Sequence, residues 1–498
     1  MELVYLWVEE YKNIKNQGFN FSPRFECKFD GEKLTVNENK DYVSIFPKNI
    51  NVTAIVGENG SGKSTIIDFI LKCYEDEYDK DYIIVLKNND DSLMYQSNKN
   101  LKADIRKISF STFRNVFVYN RNSHNHPAFR KYTTIEIDKV AIANILSVEY
   151  GKEDQKFNIL PFMYLPNRIE IKLREDEELI NENINFFKPQ ERDEIRTTFL
   201  AIKDDYHKFL FISYGRNSQL GYSKEILNSK EALIQEIEPK LSEVDYHNFF
   251  QLVFNSKVFE ISKLTEKQKE IYIRENGFHH FFNFDFLDEK ERRFNDLSHG
   301  EQTIFAQLLN IYFLSNSKID KFIFLLDEPD LSLHPNWQKQ YLNEIIKLCK
   351  KLEKKYHFII TSHSPFILSD LPTKNIIFLK NGKQEYPFKE NEQTFGANIH
   401  TLLSHGFFME DGLMGEFAKS KISDVIELLK KEQLSEDEIK DCKHIISIIG
   451  EPILQKTLEH QLNEKLNPNE TELQKLEREQ KEIQEKIDKL KRENNETN

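Results

Sequence analysis

The residues Gly57-Glu58-Asn59-Gly60-Ser61-Gly62-Lys63-Ser64-Thr65 stand between the apolar run Val52 to Val56 and the apolar stretch Ile66 to Leu71. Their types suit a cradle for phosphate oxygens. Gly57, Gly60 and Gly62 let successive backbone N–H groups turn toward one point, with Asn59 and Ser61 in the same loop. Lys63 can reach the β- and γ-phosphates, the Ser64 hydroxyl is placed to ligate Mg²⁺, and Thr65 falls near the α-phosphate. A strand, a glycine-rich turn of this spacing and a helix predict a nucleoside-triphosphate site rather than an unliganded turn.

Three further strings carry matching chemistry. In Leu297-Ser298-His299-Gly300-Glu301-Gln302, Ser298 with Glu301 reads as a capping box opening a helix from Gln302 to Leu314. Ser298 and Gly300 then lie at a positive helix end, a place for an anion. Because the first loop already holds a nucleotide, the natural ligand here is a γ-phosphate held by a second copy of the chain. Taken alone, the string is better explained as an ordinary helix cap. Phe322 to Leu326 is an apolar run of strand length ending in Asp327-Glu328-Pro329. Asp327 would hold Mg²⁺ through its water shell, and Glu328 would orient and polarise an attacking water, a role worth about 10²–10⁴ in rate. Phe358-Ile359-Ile360 runs into Thr361-Ser362-His363-Ser364-Pro365, where His363 could donate to the γ-phosphate. Ligands of an open parallel sheet sit beyond the carboxyl ends of its strands, and all these polar groups follow apolar strand-like runs.

At these residues the chain resembles the ABC-type ATPases of the SMC, RecF and OLD-like branch. The resemblance maps the P-loop onto Gly57 to Thr65, the signature onto Leu297 to Gln302, Walker B onto Phe322 to Glu328 and the switch histidine onto His363. Pro329 to Pro335 looks like the D-loop. The implied fold is α/β, a mixed sheet flanked by helices, with a helical insertion and a helical C-terminal region ending in a short coiled coil. The implied cofactors are ATP and Mg²⁺, with Lys63, Glu328 and His363 as catalytic residues. His299 replaces the glycine of transporter signatures and speaks against a transporter role. No glutamine stands where a Q-loop is expected; Asn120, at the polar end of Val116 to Asn120, is the candidate there. The opening Tyr5 to Ile14 resembles the first strand of RecF-like heads, which makes Lys12 a further nucleotide-site candidate.

The 498 residues allow about two to four domains. The segments read as an N-terminal head part (1–130), a mainly helical insertion (131–285), a second head part (286–393), a helical partner-binding region (394–466) and a coiled-coil tail (467–498). Within the insertion, Arg168 to Leu173 keeps strand character, and Leu233, Ile234 and Ile237 share a helical face ahead of Pro239. The aromatic run Phe278 to Phe286 reads as core. Ser123-His124-Asn125-His126-Pro127 spells HNH without the surrounding pattern of such a nuclease and reads as a polar loop. Leu413, Phe417, Ile422, Val425, Ile426 and Leu429 trace an apolar stripe, and Ser435 with Glu438 caps the next helix. In the tail, Leu473, Leu476, Ile483, Ile487 and Leu490 occupy a and d positions of about three heptads, with Gln480 and Asn494 as polar members of the same seam.

Cys27, Cys73, Cys349 and Cys442 are far apart, with neither a disulfide framework nor a zinc pattern. The chain opens without a basic targeting region and has no run of about twenty apolar residues, so a cytoplasmic location without a membrane partner is expected. A net charge of −13 argues against broad attraction to nucleic acid without excluding a local basic groove. Lys347, Lys350, Lys351, Lys354 and Lys355 read as a solvated helix face.

Beyond the head, the opening string, the short insertion, Leu331 to Pro335 and the Phe395-Gly396-Ala397-Asn398-Ile399-His400 linker resemble ATPase subunits of bacterial anti-phage systems, in particular the Septu-type ATPase also found with some retrons. That resemblance implies a homodimer or larger homo-oligomer regulating a separate nuclease subunit of the HNH type, with DNA or RNA as a further possible partner. No nuclease domain of the chain's own is read: no Toprim-like pattern follows the switch histidine. The alternative class is a RecF/SMC-like DNA-repair ATPase; a transporter ATPase subunit comes third.

Overall fold

A computed structural model describes residues 2–74, 80–88, 92–99, 101–108, 116–120, 164–217, 223–241, 258–264, 282–315, 320–352, 354–389, 392–407 and 413–468, with Gln480 and Gln484. The HNH string and the apolar seam residues of the expected coiled coil lie outside them. The chain divides into two compact units, Met1–Glu410 and Asp411–Asn498.

In the first unit the N-terminal strands are β1 (Glu2–Tyr11), β2 (Ile14–Asn20), β3 (Phe25–Phe29), β4 (Lys33–Glu38) and β5 (Ile50–Gly57). Helix α1 (Lys63–Tyr74) follows the glycine-rich loop, and then β6 (Tyr82–Lys87), β7 (Leu93–Ser97), β8 (Lys102–Ala103), β9 (Arg106–Lys107) and β10 (Val116–Asn120). The insertion holds β11 (Pro166–Leu173), helices α2 (Asp176–Asn183), α3 (Arg192–Ala201), α4 (Asp205–Asn217), α5 (Lys224–Leu227) and α6 (Lys230–Leu241), and strands β12 (Val258–Glu260) and β13 (Phe282–Asp288). The remainder is α7 (His299–Ser315), β14 (Lys321–Asp327), α8 (Pro335–Leu352), β15 (Lys355–Thr361), α9 (Pro365–Ser369), β16 (Ile376–Lys380), β17 (Lys383–Glu385) and α10 (Ile399–Thr401).

The central sheet has the order β10-β14-β15-β5-β16-β17, parallel except for β17. β5, β14, β15 and β16 are buried along almost their whole length, as parallel strands covered on both faces require. Phe322, Phe324 and Leu326 point with Val52, Val56, Phe358 and Ile360 toward α7, α8 and α9. The alternate residues Ile323, Leu325, Ile55 and Ile359 join Ile66, Ile67 and Ile70 of α1 and Leu6 and Val8 of β1. This period of two sets α1 between the central sheet and a second sheet, β2-β1-β6-β7-β9. Buried His357 ties the two: the Leu3 N–H donates to Nδ1 at 3.1 Å, and Nε2 lies 2.9 Å from the Thr53 hydroxyl. Burial pushes the imidazole down to about 3, so it stays neutral. The mixed α/β architecture is the one expected.

The insertion has its own core, in which Ile169, Ile171, Leu179, Phe199, Phe211, Leu233, Ile237, Phe282 and Phe286 meet. Its helices pack with an antiparallel sheet, β12-β11-β13, so it is less purely helical than periodicity indicated. The core also takes in Phe305 and Leu309 of α7, which joins the insertion to the helix at the signature string. All four cysteines are free and buried.

The second unit contains α11 (Glu416–Lys430), α12 (Glu436–Ser447) and α13 (Pro452–Leu466). Val425, Cys442, Ile446, Leu458 and Leu462 form its core, and the Ser435–Glu438 capping box is present. Only the later part of the stripe packs there: Phe417 is 80% exposed. No described helix is long and apolar enough to cross a membrane.

Candidate functional site

Parallel strands deliver their carboxyl ends to one edge of the central sheet. In register, Asn120 of β10 stands beside Asp327 of β14, and Asp327 beside Thr361 of β15. β5 ends at Gly57, and the glycine-rich loop turns from there into α1.

The loop has the backbone its glycines were expected to permit. Gly60 and Gly62 adopt φ of 76° and 112°, in the range that disfavours side chains. A Cβ on Gly57 would stand 2.1 Å from the Leu379 carbonyl, so the loop can sit against β16 only with glycine there. Asn59 and Gly60 are exposed at the loop tip. The Ser61 hydroxyl is buried without a partner, and its carbonyl accepts from the Gly382 N–H at 2.8 Å. Lys63 Nζ donates to the carbonyls of Gly57 (3.1 Å) and Glu58 (3.0 Å), and burial pushes its pKa down. A phosphate oxygen, being charged, is a stronger partner for that ammonium than either carbonyl.

Ser64 Oγ donates to Asp327 Oδ1 at 3.0 Å. Asp327 also accepts from the Thr361 hydroxyl; burial raises its pKa while Thr361 and Ser64 counter it. A serine hydroxyl beside a carboxylate is an oxygen set suited to Mg²⁺, which keeps waters and shares phosphate ligands. With the orphaned Ser61 hydroxyl and the cradle at Gly60 and Gly62, the residues present fit a Mg²⁺–nucleotide.

Glu328 is strained. Its φ of 48° is unusual for a residue with a side chain, and its N–H is held by the Thr361 hydroxyl at 2.9 Å. Its carboxylate lies 3.4 Å from His363 Nε2. Burial and the Lys63 charge lower the His363 pKa against the pull of Glu328, which favours a neutral ring at pH 7. The Phe407 ring stacks with His363 at 6.2 Å between ring centroids. Asp330, pushed by burial up to about 6, accepts from Ser362 Oγ at 2.7 Å and fixes the two post-strand turns together.

Thr65, partly buried on α1, has no described contact with these carboxylates. Ser298 and Gly300 lie at the start of α7. Ser298 is exposed and bonds with Glu301: the Glu301 N–H donates to Ser298 Oγ at 3.3 Å, and Glu301 Oε2 accepts from the Ser298 N–H at 2.9 Å. The expected capping box is therefore formed, and Ser298 has no described bond to the loop around Lys63 of its own chain. Gly300 is required by contact: a Cβ there would stand 2.8 Å from the Ser332 carbonyl. Lys12, in the β1–β2 turn, pairs with Asp68 of α1 at 2.5 Å rather than with the loop. Its neighbour Asn13 makes that contact, donating from Nδ2 to the Gly60 carbonyl at 3.0 Å.

Sequence reasoning assigned no role to Thr361 or Asn13, and gave Asp330 only a place in the D-loop-like stretch. Thr361 had one available signal, its place directly after the apolar β15 run; the other two act through pairings between distant segments.

Residues 52–369 match the family described as "AAA domain, putative AbiEii toxin, Type IV TA system", and the chain belongs to that family. Among individual relatives, it is similar to the "Retron Vc95 probable ATPase" of Vibrio cholerae serotype O1 biovar El Tor, 23% identical over 79% of this chain and 80% of that one. It is also similar to the "Retron Ec83 probable ATPase" of Escherichia coli, 35% identical over 22% of this chain, and to the "Septu protein PtuA" of Bacillus mycoides, 27% identical over 40%. These two matches span 21% and 29% of the relatives' own lengths.

Proposed function

We propose that this protein binds and hydrolyses ATP between two copies of its head, and that the cycle controls a separate nuclease in an anti-phage defence system. The observation that carries the ATPase reading is the convergence of Ser64 on Asp327 at 3.0 Å with Glu328 and His363 at 3.4 Å on the same sheet edge. Lys63 and the loop N–H groups bind the triphosphate. Ser64 and Asp327 would hold Mg²⁺, which supplies charge neutralisation of the phosphates. Glu328 orients the attacking water and takes its proton, and His363 hydrogen-bonds the γ-phosphate. Ser298 of the second copy completes the site, because in its own chain it faces solvent. Binding thus favours association of heads and hydrolysis their release.

The defence reading is supported by similarity to the retron ATPase of Vibrio along four-fifths of both chains, and to the Septu protein PtuA over a shorter stretch. The test is the native mass of the tagged full chain co-expressed with the product of its neighbouring gene, with and without ATP. A stable complex with a nuclease agrees with the reading; a solitary ATP-dependent dimer contradicts the partner role and favours the DNA-repair alternative.

A further inference from the structure

A second polar cavity lies at the opposite edge of the central sheet from the glycine-rich loop. Its volume is about 90 Å³. On the same measure a water needs roughly 10–15 Å³, so the cavity has room for a phosphate group together with several waters. Arg24, Lys48, Lys87 and Lys355 line it, with Glu2 as its single carboxylate. Four cations against one acid stand out in a chain of net charge −13. The Glu2 carboxylate is engaged, accepting from Asn51 Nδ2 at 2.9 Å. Among the described residues, Arg24, Lys48 and Lys355 take part in no ion pair. Ser22 also lines the cavity; its hydroxyl is buried and has no partner. Cations gathered around a single carboxylate repel one another, and a buried hydroxyl left unbonded is unfavourable; one anion relieves both.

Chain topology explains the convergence. β5 starts at Ile50 and β15 at Lys355, so the edge opposite Gly57 and Thr361 presents the beginnings of the strands that end in the nucleotide site. Glu2 and Lys87 are paired across β1 and β6 at the same edge. At about 3.3 Å per residue, the length of β5 separates the two sites by roughly 25 Å, too far for one nucleotide to occupy both. Lys355, which sequence pattern groups with a solvated helix face, is the first residue of β15 and belongs to this cavity instead.

We propose that this cavity is a second anion site that takes a phosphate monoester, borne either by a small nucleotide or by the 5′ end of a nucleic-acid strand. Arg24 and Lys355 supply the charge, Ser22 a hydroxyl, and Tyr42, which also lines the cavity, a ring for the attached group. The proposal is independent of the ATPase reading, since no residue is shared.

The test uses the full chain carrying Lys63→Ala, which silences the first site. The probes are a 3′-labelled single-stranded oligonucleotide with a 5′-phosphate, the same strand with a 5′-hydroxyl, and inorganic phosphate and adenosine monophosphate as competitors. Preference for the 5′-phosphate strand, lost at least tenfold on adding Arg24→Ser and Lys355→Ser, supports a strand-end ligand. Competition by adenosine monophosphate at equal or lower concentration than the strand, lost in the same variant, supports a small phosphate ester. Equal binding of both strands, or phosphate-dependent binding untouched by the substitutions, overturns the proposal. Retention of the parental melting temperature shows that the double substitution has not unfolded the head.

Discussion

Ser64 on the first helix and Asp327 at the end of β14 are 263 positions apart in sequence, and the Ser64 hydroxyl donates to the Asp327 carboxylate at 3.0 Å. That bond joins the phosphate loop to the acidic strand end and makes one site of two remote strings. Both side chains supply hard oxygen donors, which is the chemistry Mg²⁺ selects.

Glu328→Gln keeps the shape and the hydrogen-bonding capacity of the side chain while removing the base. ATP affinity should hold near the parental value, and turnover should fall by about 10²–10⁴. Single-turnover kinetics beside equilibrium ATP binding separates the two quantities. Parental turnover in this variant would show that another group activates the water.

Thr361→Val removes two bonds at once, the hydroxyl donor to Asp327 and the acceptor of the Glu328 N–H at 2.9 Å. A hydrogen bond to a charged group is worth about 1.5–3 kcal/mol, so turnover at fixed low Mg²⁺ should drop by roughly 10- to 100-fold. Part of the loss should return at high Mg²⁺. A Mg²⁺ titration that superimposes on the parental curve rules out this positioning role.

Asp330 predicts a pH dependence of stability. Its carboxyl is pushed by burial from 3.8 up to about 6. A raised folded-state pKa means the folded protein holds the proton more tightly than the unfolded chain. The associated stability is present below pH 4 and is lost as pH rises through about 6. Asp330→Asn has no such proton and can still accept from Ser362. Relative to the parent, its unfolding free energy should therefore gain up to about 3 kcal/mol between pH 4 and pH 7. Parallel denaturant curves across that range would contradict the shift.

Much of the candidate site was legible because each string is local: an apolar strand ends, and the polar residues that the structure brings to one sheet edge follow directly. The glycine-rich loop, Asp327, Glu328 and His363 were found that way, and the Ser298–Glu301 cap formed as expected. What was not legible depends on register and contact. Thr361 matters because parallel pairing sets it beside Asp327. Asn13 matters because a turn from the other sheet reaches Gly60, whereas Lys12, the residue singled out, turns to Asp68. Of the β12-β11-β13 sheet only the strand character of Arg168 to Leu173 in β11 was read; its partners escaped notice because β12 has three residues and helices dominate the surrounding sequence. Phe417, read as part of an apolar stripe, stands 80% exposed because helical periodicity extends past the point where the bundle packs.

The central claim is that one nucleotide site draws on two chains, with Ser298 of one copy completing the site built around Lys63 of the other. Lys63→Ala and Ser298→Arg should each be inactive alone, the first through lost ATP binding and the second with binding retained. A mixed dimer leaves one site with both residues intact. The decisive measurement is ATP turnover of the two variants mixed in equal amounts, with native mass showing that mixed dimers form. Recovery of a measurable fraction of parental activity is the predicted result; no recovery in a sample that contains mixed dimers contradicts the shared site.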